Sequence, residues 1–133
     1  MIIMGRAISK GKAEGKVLLS KSEISFLGDV DRSTGIVIEK KSNIYKKSIA
    51  GKILVFPRGR GSTVGSYALY QLKKNNKAPK AIINLEAEII VAVGAIISDI
   101  PMVDKLERDP FEFLKNGDVI KVDGDKGIIE VVK

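Results

Sequence analysis

Apolar residues along this chain fall in short, dense blocks of Ile and Val, separated by polar and glycine-bearing stretches. Blocks of that length and composition predict buried strands. Residues 2–9 and 15–20 read as two strands around Lys10-Gly11-Lys12-Ala13-Glu14, and Ile36-Val37-Ile38 as a third. Ile53-Leu54-Val55-Phe56 is apolar throughout, as expected of a strand covered on both faces. The period then changes. Val64, Tyr67/Ala68 and Leu72 are spaced by three or four, the mark of one helical face. Ser62 stands where an N-cap belongs, and Asn75-Asn76 ahead of Ala78-Pro79 marks the helix end. Ala81-Ile82-Ile83-Asn84 resumes as a strand parallel to the 53–56 strand, so residues 53–84 form a βαβ unit with an expected right-handed crossover.

Residues 86–94 read as a short second helix with Ile89, Ile90 and Val93 on one face, against their β-branched character. A strand at 100–103 and a helical turn at 111–115, ended by Asn116-Gly117, follow. Residues 118–122 and 127–132 make a hairpin over Asp123-Gly124-Asp125-Lys126. Between the strands lie a long irregular stretch at 22–34, holding Gly28, Asp29 and Asp31, and a polar connection at 40–51. The pattern predicts a β-rich α/β fold, a small barrel or layered sheet with one main helix, as a single domain over residues 1–133.

Composition narrows the chemistry. The chain has no Cys and no His, which excludes disulfides, thiol or imidazole catalysis and the usual zinc sites. An iron–sulfur cluster would have to find its cysteines on a partner. No apolar run approaches the roughly 20 residues that span a bilayer, and the start lacks the pattern of a signal peptide, so a cytoplasmic protein without membrane contact is expected. The net charge of +7 points to acidic partners: nucleic acid, a phosphorylated metabolite or an acidic subunit. The lysines are spread along the chain and the three tyrosines do not cluster with them. A lysine-rich solvated surface is the simpler reading, and base stacking has little to work with.

The densest chemistry lies in Phe56-Pro57-Arg58-Gly59-Arg60-Gly61-Ser62-Thr63-Val64-Gly65-Ser66-Tyr67. Here a strand turns into a helix through glycines, two arginines and hydroxyls. The first N–H groups of a helix lack intrahelical partners and carry partial positive charge, which suits an anion. Arg58 and Arg60 add planar donor forks for carboxylate or phosphate. The spacing is neither that of a Walker phosphate loop nor that of the dinucleotide fingerprint. By spacing alone, the segment also fits a tight turn with Ser62 as a plain cap. Asp29 and Asp31 could pair with Arg58 or Arg60, orient a substrate, or simply build a solvated turn.

Three stretches taken together resemble the small subunit of the aconitase X family. They are Ile24-Ser25-Phe26-Leu27-Gly28-Asp29-Val30-Asp31 with Thr34-Gly35, then the run from Gly51 through Ser62, then Ala78-Pro79-Lys80-Ala81-Ile82-Ile83. The family commonly continues Gly-Ser-Ser-Thr-Ser-Ser, where this chain has Gly61-Ser62-Thr63-Val64-Gly65-Ser66. The resemblance implies a swivelling β/β/α domain and a hydro-lyase (dehydratase) subunit active only with a large subunit, as a heterodimer. It implies a [4Fe–4S] cluster on that large subunit, none on this chain, and no metal ligands here. The implied reaction takes (R)-5-phosphomevalonate to trans-anhydromevalonate 5-phosphate in an archaeal mevalonate route. Ser62 falls on the family's catalytic serine, the proton acceptor. Arg58, Arg60, Gly61, Thr63, Asp29 and Asp31 are the candidate substrate contacts. The alternatives are dehydration of another small hydroxy acid, such as cis-3-hydroxyproline, and a non-catalytic basic domain that binds nucleic acid.

Overall fold

In a computed structural model, which describes residues 1–61 and 63–132, the chain folds into eight strands and three helices. In order they are β1 (Ile2–Met4), β2 (Arg6–Ser9), β3 (Lys12–Leu19), β4 (Ile53–Phe56), α1 (Val64–Lys74), β5 (Ala81–Asn84), α2 (Ile89–Ile97), β6 (Met102–Asp104), α3 (Pro110–Phe113), β7 (Val119–Asp123) and β8 (Ile128–Val131). Strand β3 joins two layers. Its first half, Lys12 to Lys16, pairs antiparallel with β7, which continues to β8 and β1. Its second half, Val17 to Leu19, pairs parallel with β4, and β5 and β6 follow in parallel. β2 closes the far edge, antiparallel to β6.

Because strand side chains alternate sides, the central strands serve two cores at once. Leu54, Phe56 and Ile82 pack against Ala68, Leu69 and Leu72 of α1 and Val91 and Ala95 of α2. Ile53, Val55, Ala81 and Ile83 pack instead against Ile120, Val122 and Ile129 of the outer strands, with Leu114. Outer strands, parallel sheet and helices are thus stacked as β/β/α, the layered alternative among the sequence expectations. Leu69 and Leu72 are fully buried, each worth about 1.5–3 kcal/mol over an exposed position. No helix among the described residues is long and apolar enough to cross a membrane.

Several sequence expectations change. The strand read at 2–9 breaks at Gly5, where the chain leaves the outer layer for the edge of the parallel sheet. The Gly5 N–H donates to Gly127 O at 2.7 Å, and a Cβ there would stand 2.7 Å from Asp104 O. Ile36–Ile38 is no strand of the sheet. It makes isolated bridges within its own loop, Val37 to Val30 and Ile36 to Ser48. The expected N-cap, Ser62, lies outside the described residues. The cap position of α1 is Thr63, in helical backbone and with no side-chain cap bond. Val64 and Tyr67 face outward, so the buried stripe is Ala68, Leu69 and Leu72.

There are two main helices rather than one, since α2 runs on past Gly94 to Ile97. Its inner face is Val91, Gly94 and Ala95, whereas Ile89 and Val93 point out. The small residues let α2 approach α1 closely: a Cβ on Gly94 would stand 3.1 Å from Ser66 Cα. At the far edge, Arg6 donates two bonds to the fully buried Asp104 carboxylate, at 2.9 and 2.7 Å. That hydrogen bond and charge raise the Arg6 pKa, so the guanidinium's contribution is fully present below its ordinary value and is lost only far on the alkaline side.

Candidate functional site

In open α/β sheets, ligands gather at the carboxyl ends of the parallel strands. Here that edge holds the Pro57–Gly61 turn after β4 and the 85–88 turn after β5. Asn84, the last residue of β5, is fully buried and donates from Nδ2 to Phe56 O at 3.0 Å, which pins the end of β4. Its Oδ1 has no partner among the described residues.

The turn is glycine-rich for two separate reasons. Gly59 is pressed against α2, where a Cβ would fall 2.2 Å from Val91 Cγ2 and 3.0 Å from Glu88 Oε1. Gly61 has φ of +110°, a backbone conformation that side-chain-bearing residues rarely adopt. The irregular 22–34 stretch braces the turn from the other side. Ile24 forms a parallel bridge to Gly59: its N–H donates to Arg58 O at 3.3 Å and its O accepts from Arg60 N–H at 3.1 Å.

This bridge brings Asp29 to Arg60. Arg60 Nη2 donates to both Asp29 oxygens, at 3.1 and 3.0 Å, while Asp29 Oδ2 also accepts the Ser25 N–H at 2.8 Å. Asp29 is nearly buried and Arg60 about half exposed, so the carboxylate anchors a guanidinium whose Nε and Nη1 are unbonded among the described residues. Beside the pair opens a cavity of about 300 Å³, lined by Glu23, Ile24, Asp29, Lys41, Ser42 and Arg60.

The other sequence candidates are placed differently. Asp31 meets neither arginine. Its Oδ1 accepts the Ser33 and Thr34 N–H groups and holds a turn. Arg58 lies 3.9 Å from Glu23, both side chains about half exposed. Glu23 and the Ser25 backbone are the site residues that the sequence reading did not pick out. Acidic and polar residues near a basic turn were visible, but which of them meets it depends on the path of the loop. Thr63 and Gly61 flank Ser62, the proposed proton acceptor, which lies outside the described residues.

The two helix N-termini at this edge differ. α2 is closed by its own residue: Glu88 accepts the Ile90 N–H at 2.9 Å and the Val91 N–H at 3.2 Å. Among the described residues, α1 has no side-chain cap and no acidic residue in its first turn. An anion therefore meets a satisfied terminus at α2 and, among the described residues, an uncapped one at α1, a few residues after Arg60.

The family profile described as the aconitase X swivel domain matches residues 2–131. A protein of Methanosarcina mazei named phosphomevalonate dehydratase small subunit is 66% identical over 129 residues, covering 97% of this chain and 90% of that protein. A protein of the same name from Thermococcus kodakarensis is 60% identical, covering 100% of this chain and 98% of its own length. The crystal structure of Thermococcus kodakaraensis aconitase X in its holo form superposes with a TM-score of 0.94 at 59% identity, covering 100% of this chain and 99% of that one. A solution structure of a UPF0107 protein gives 0.90 at 50% identity, with both chains covered in full.

Proposed function

This chain belongs to the aconitase X swivel-domain family, and on that premise we propose that it is the small subunit of a two-subunit hydro-lyase acting on (R)-5-phosphomevalonate. The product is trans-anhydromevalonate 5-phosphate, on an archaeal mevalonate route to isoprenoids in the cytoplasm. The observation that carries the reading is likeness along nearly the whole chain to proteins named phosphomevalonate dehydratase small subunit. In this reading residues 1–133 act as one domain beside a large subunit.

Dehydration takes a proton from carbon and expels hydroxide. The chain has neither Cys nor His, and among the described residues no cluster of acidic side chains suits a metal. Its residues do not fit an iron–sulfur cluster. In this reading a [4Fe–4S] cluster belongs to the large subunit, where it would supply Lewis-acid chemistry for the leaving hydroxide. The share of this chain is the proton.

Ser62 is the proton acceptor. A serine hydroxyl is far too weak an acid to ionise alone at neutral pH, so its surroundings must favour the alkoxide. The N-terminus of α1 contributes up to about 1 kcal/mol while exposed and about 2 once the partner covers it. Arg60, held by Asp29, adds a fixed positive charge, and exclusion of water by the partner strengthens both. Arg58, Arg60, Gly61 and Thr63 are the groups placed to bind the carboxylate or phosphate of the substrate, and Asp29 is a positioning residue. Asp31 holds its turn.

The test is Ser62→Ala in the reconstituted two-subunit enzyme. Turnover is expected to fall by about 10²–10⁴-fold, the usual worth of a positioned acid–base group, with complex formation unchanged. Turnover near wild type in the intact complex overturns the assignment.

A further inference from the structure

We propose that the outward face of α2 is the surface on which the large subunit seats; this rests on the reading of the chain as a small subunit. The sequence of α2 is Ile-Ile-Val-Ala-Val-Gly-Ala-Ile-Ile, without one charged or polar side chain. A helix apolar on every side belongs in a place covered on every side. Within this chain α2 is covered on one side only. Val91, Gly94 and Ala95 are buried, while Ile89 is 73%, Ile96 53%, Ile97 52% and Val93 44% exposed. Helix formation does not account for these residues, because Ile and Val are poorer helix formers than the Lys, Glu or Gln that usually fill an outward position.

The two helices pack closely at their starts. A Cβ on Gly65 of α1 would stand 3.4 Å from Ile90 Cγ2. The exposed apolar face of α2 thus begins beside α1, whose own Val64 and Tyr67 are also exposed.

The position of the patch selects its occupant. Ile89 directly follows Glu88, whose carboxylate lies against Gly59 of the arginine turn. A body seated on the patch thus reaches the start of α2, against which Gly59 of the arginine turn is pressed, and is positioned to exclude water from that turn. A second copy of this chain would bring only a second half-site, with no Cys or His to complete it. A cysteine-bearing large subunit brings what is missing. The absence of charge over nine consecutive residues matches the centre of a lasting interface, where charged residues are depleted.

The test titrates the large subunit of the same source, purified separately, with wild-type chain, Val93→Glu, Ile96→Lys and, on β7 of the outer layer, Lys121→Glu. Both patch positions are exposed, so circular dichroism and Tm are expected to match wild type. Each patch variant should weaken binding by at least about tenfold, as loss of an interface anchor does. Dehydratase activity should fall in parallel at low subunit concentration and recover at saturation, while Lys121→Glu binds as wild type. Wild-type affinity in Val93→Glu and Ile96→Lys overturns the proposal. So does a result in which these variants only disperse a self-association seen by sedimentation. Failure of the wild-type chain itself to bind the large subunit is the distinct outcome that overturns the small-subunit reading, and the proposal with it.

Discussion

Arg60 is half exposed yet fixed, because Asp29 beneath it is nearly buried and is itself held by the Ser25 N–H. The contrast is Arg58, which reaches Glu23 only at 3.9 Å between two solvated side chains, a pairing worth under about 1 kcal/mol. Asp29→Asn keeps the shape of the anchor and an acceptor for Ser25 but removes the charge that holds Arg60. The expected result is a loss of about tenfold in kcat/KM of the reconstituted enzyme, one charge-assisted hydrogen bond's worth. Far-UV circular dichroism should be unchanged. Steady-state kinetics on the variant check this, and wild-type kcat/KM would show that Arg60 needs no anchor. An Asp and Arg pairing was legible in the sequence as composition. That Asp29 meets Arg60 while Asp31 turns away to its own loop was not, because the choice depends on the Ile24–Gly59 bridge between segments far apart in the chain.

At the scale of elements, the two helices show why pattern reading succeeded once and erred once. α1 has polar residues that mark its outer side, so its existence and its end at Asn75 were readable. α2 has none, so nothing in its sequence said which face turns inward. Packing decided it: Gly94 and Ala95 are the residues small enough to lie against α1 and the sheet. The start of α2 depends on Glu88, which caps two N–H groups. Glu88→Ala should cost about 1 kcal/mol, the usual worth of a cap, and lower Tm by about 3–5 °C in a chain of this size. Calorimetry checks it, and an unchanged Tm would mean that packing on α1 alone sets the helix start. The break between β1 and β2 was hidden for a related reason. The apolar alternation runs on through Gly5, while the two halves pair with β8 and β6 in different layers.

Across the whole molecule, the net charge of +7 is scattered, with exposed lysines on β3, in the 40–47 connection and at the end of α1. Such a surface aids solubility and the approach of phosphorylated anions. Titration against duplex and single-stranded DNA is expected to show weak or no binding. A saturable complex whose affinity falls with salt at a slope of about −5 or steeper would reopen the nucleic-acid reading. The sequence by itself determined the central βαβ unit, the C-terminal hairpin, the basic glycine turn at the end of β4 and the absence of Cys and His. These rest on local periodicity, glycine placement and residue chemistry, which need no partner to be read. The tertiary structure alone decided the splitting of the N-terminal strand between layers, the pairing of Asp29 with Arg60, and the outward turn of Ile89, Val93, Ile96 and Ile97. Each of these depends on contacts between residues distant in the chain, and an all-apolar helix or a loop aspartate carries no local signal of what it will meet.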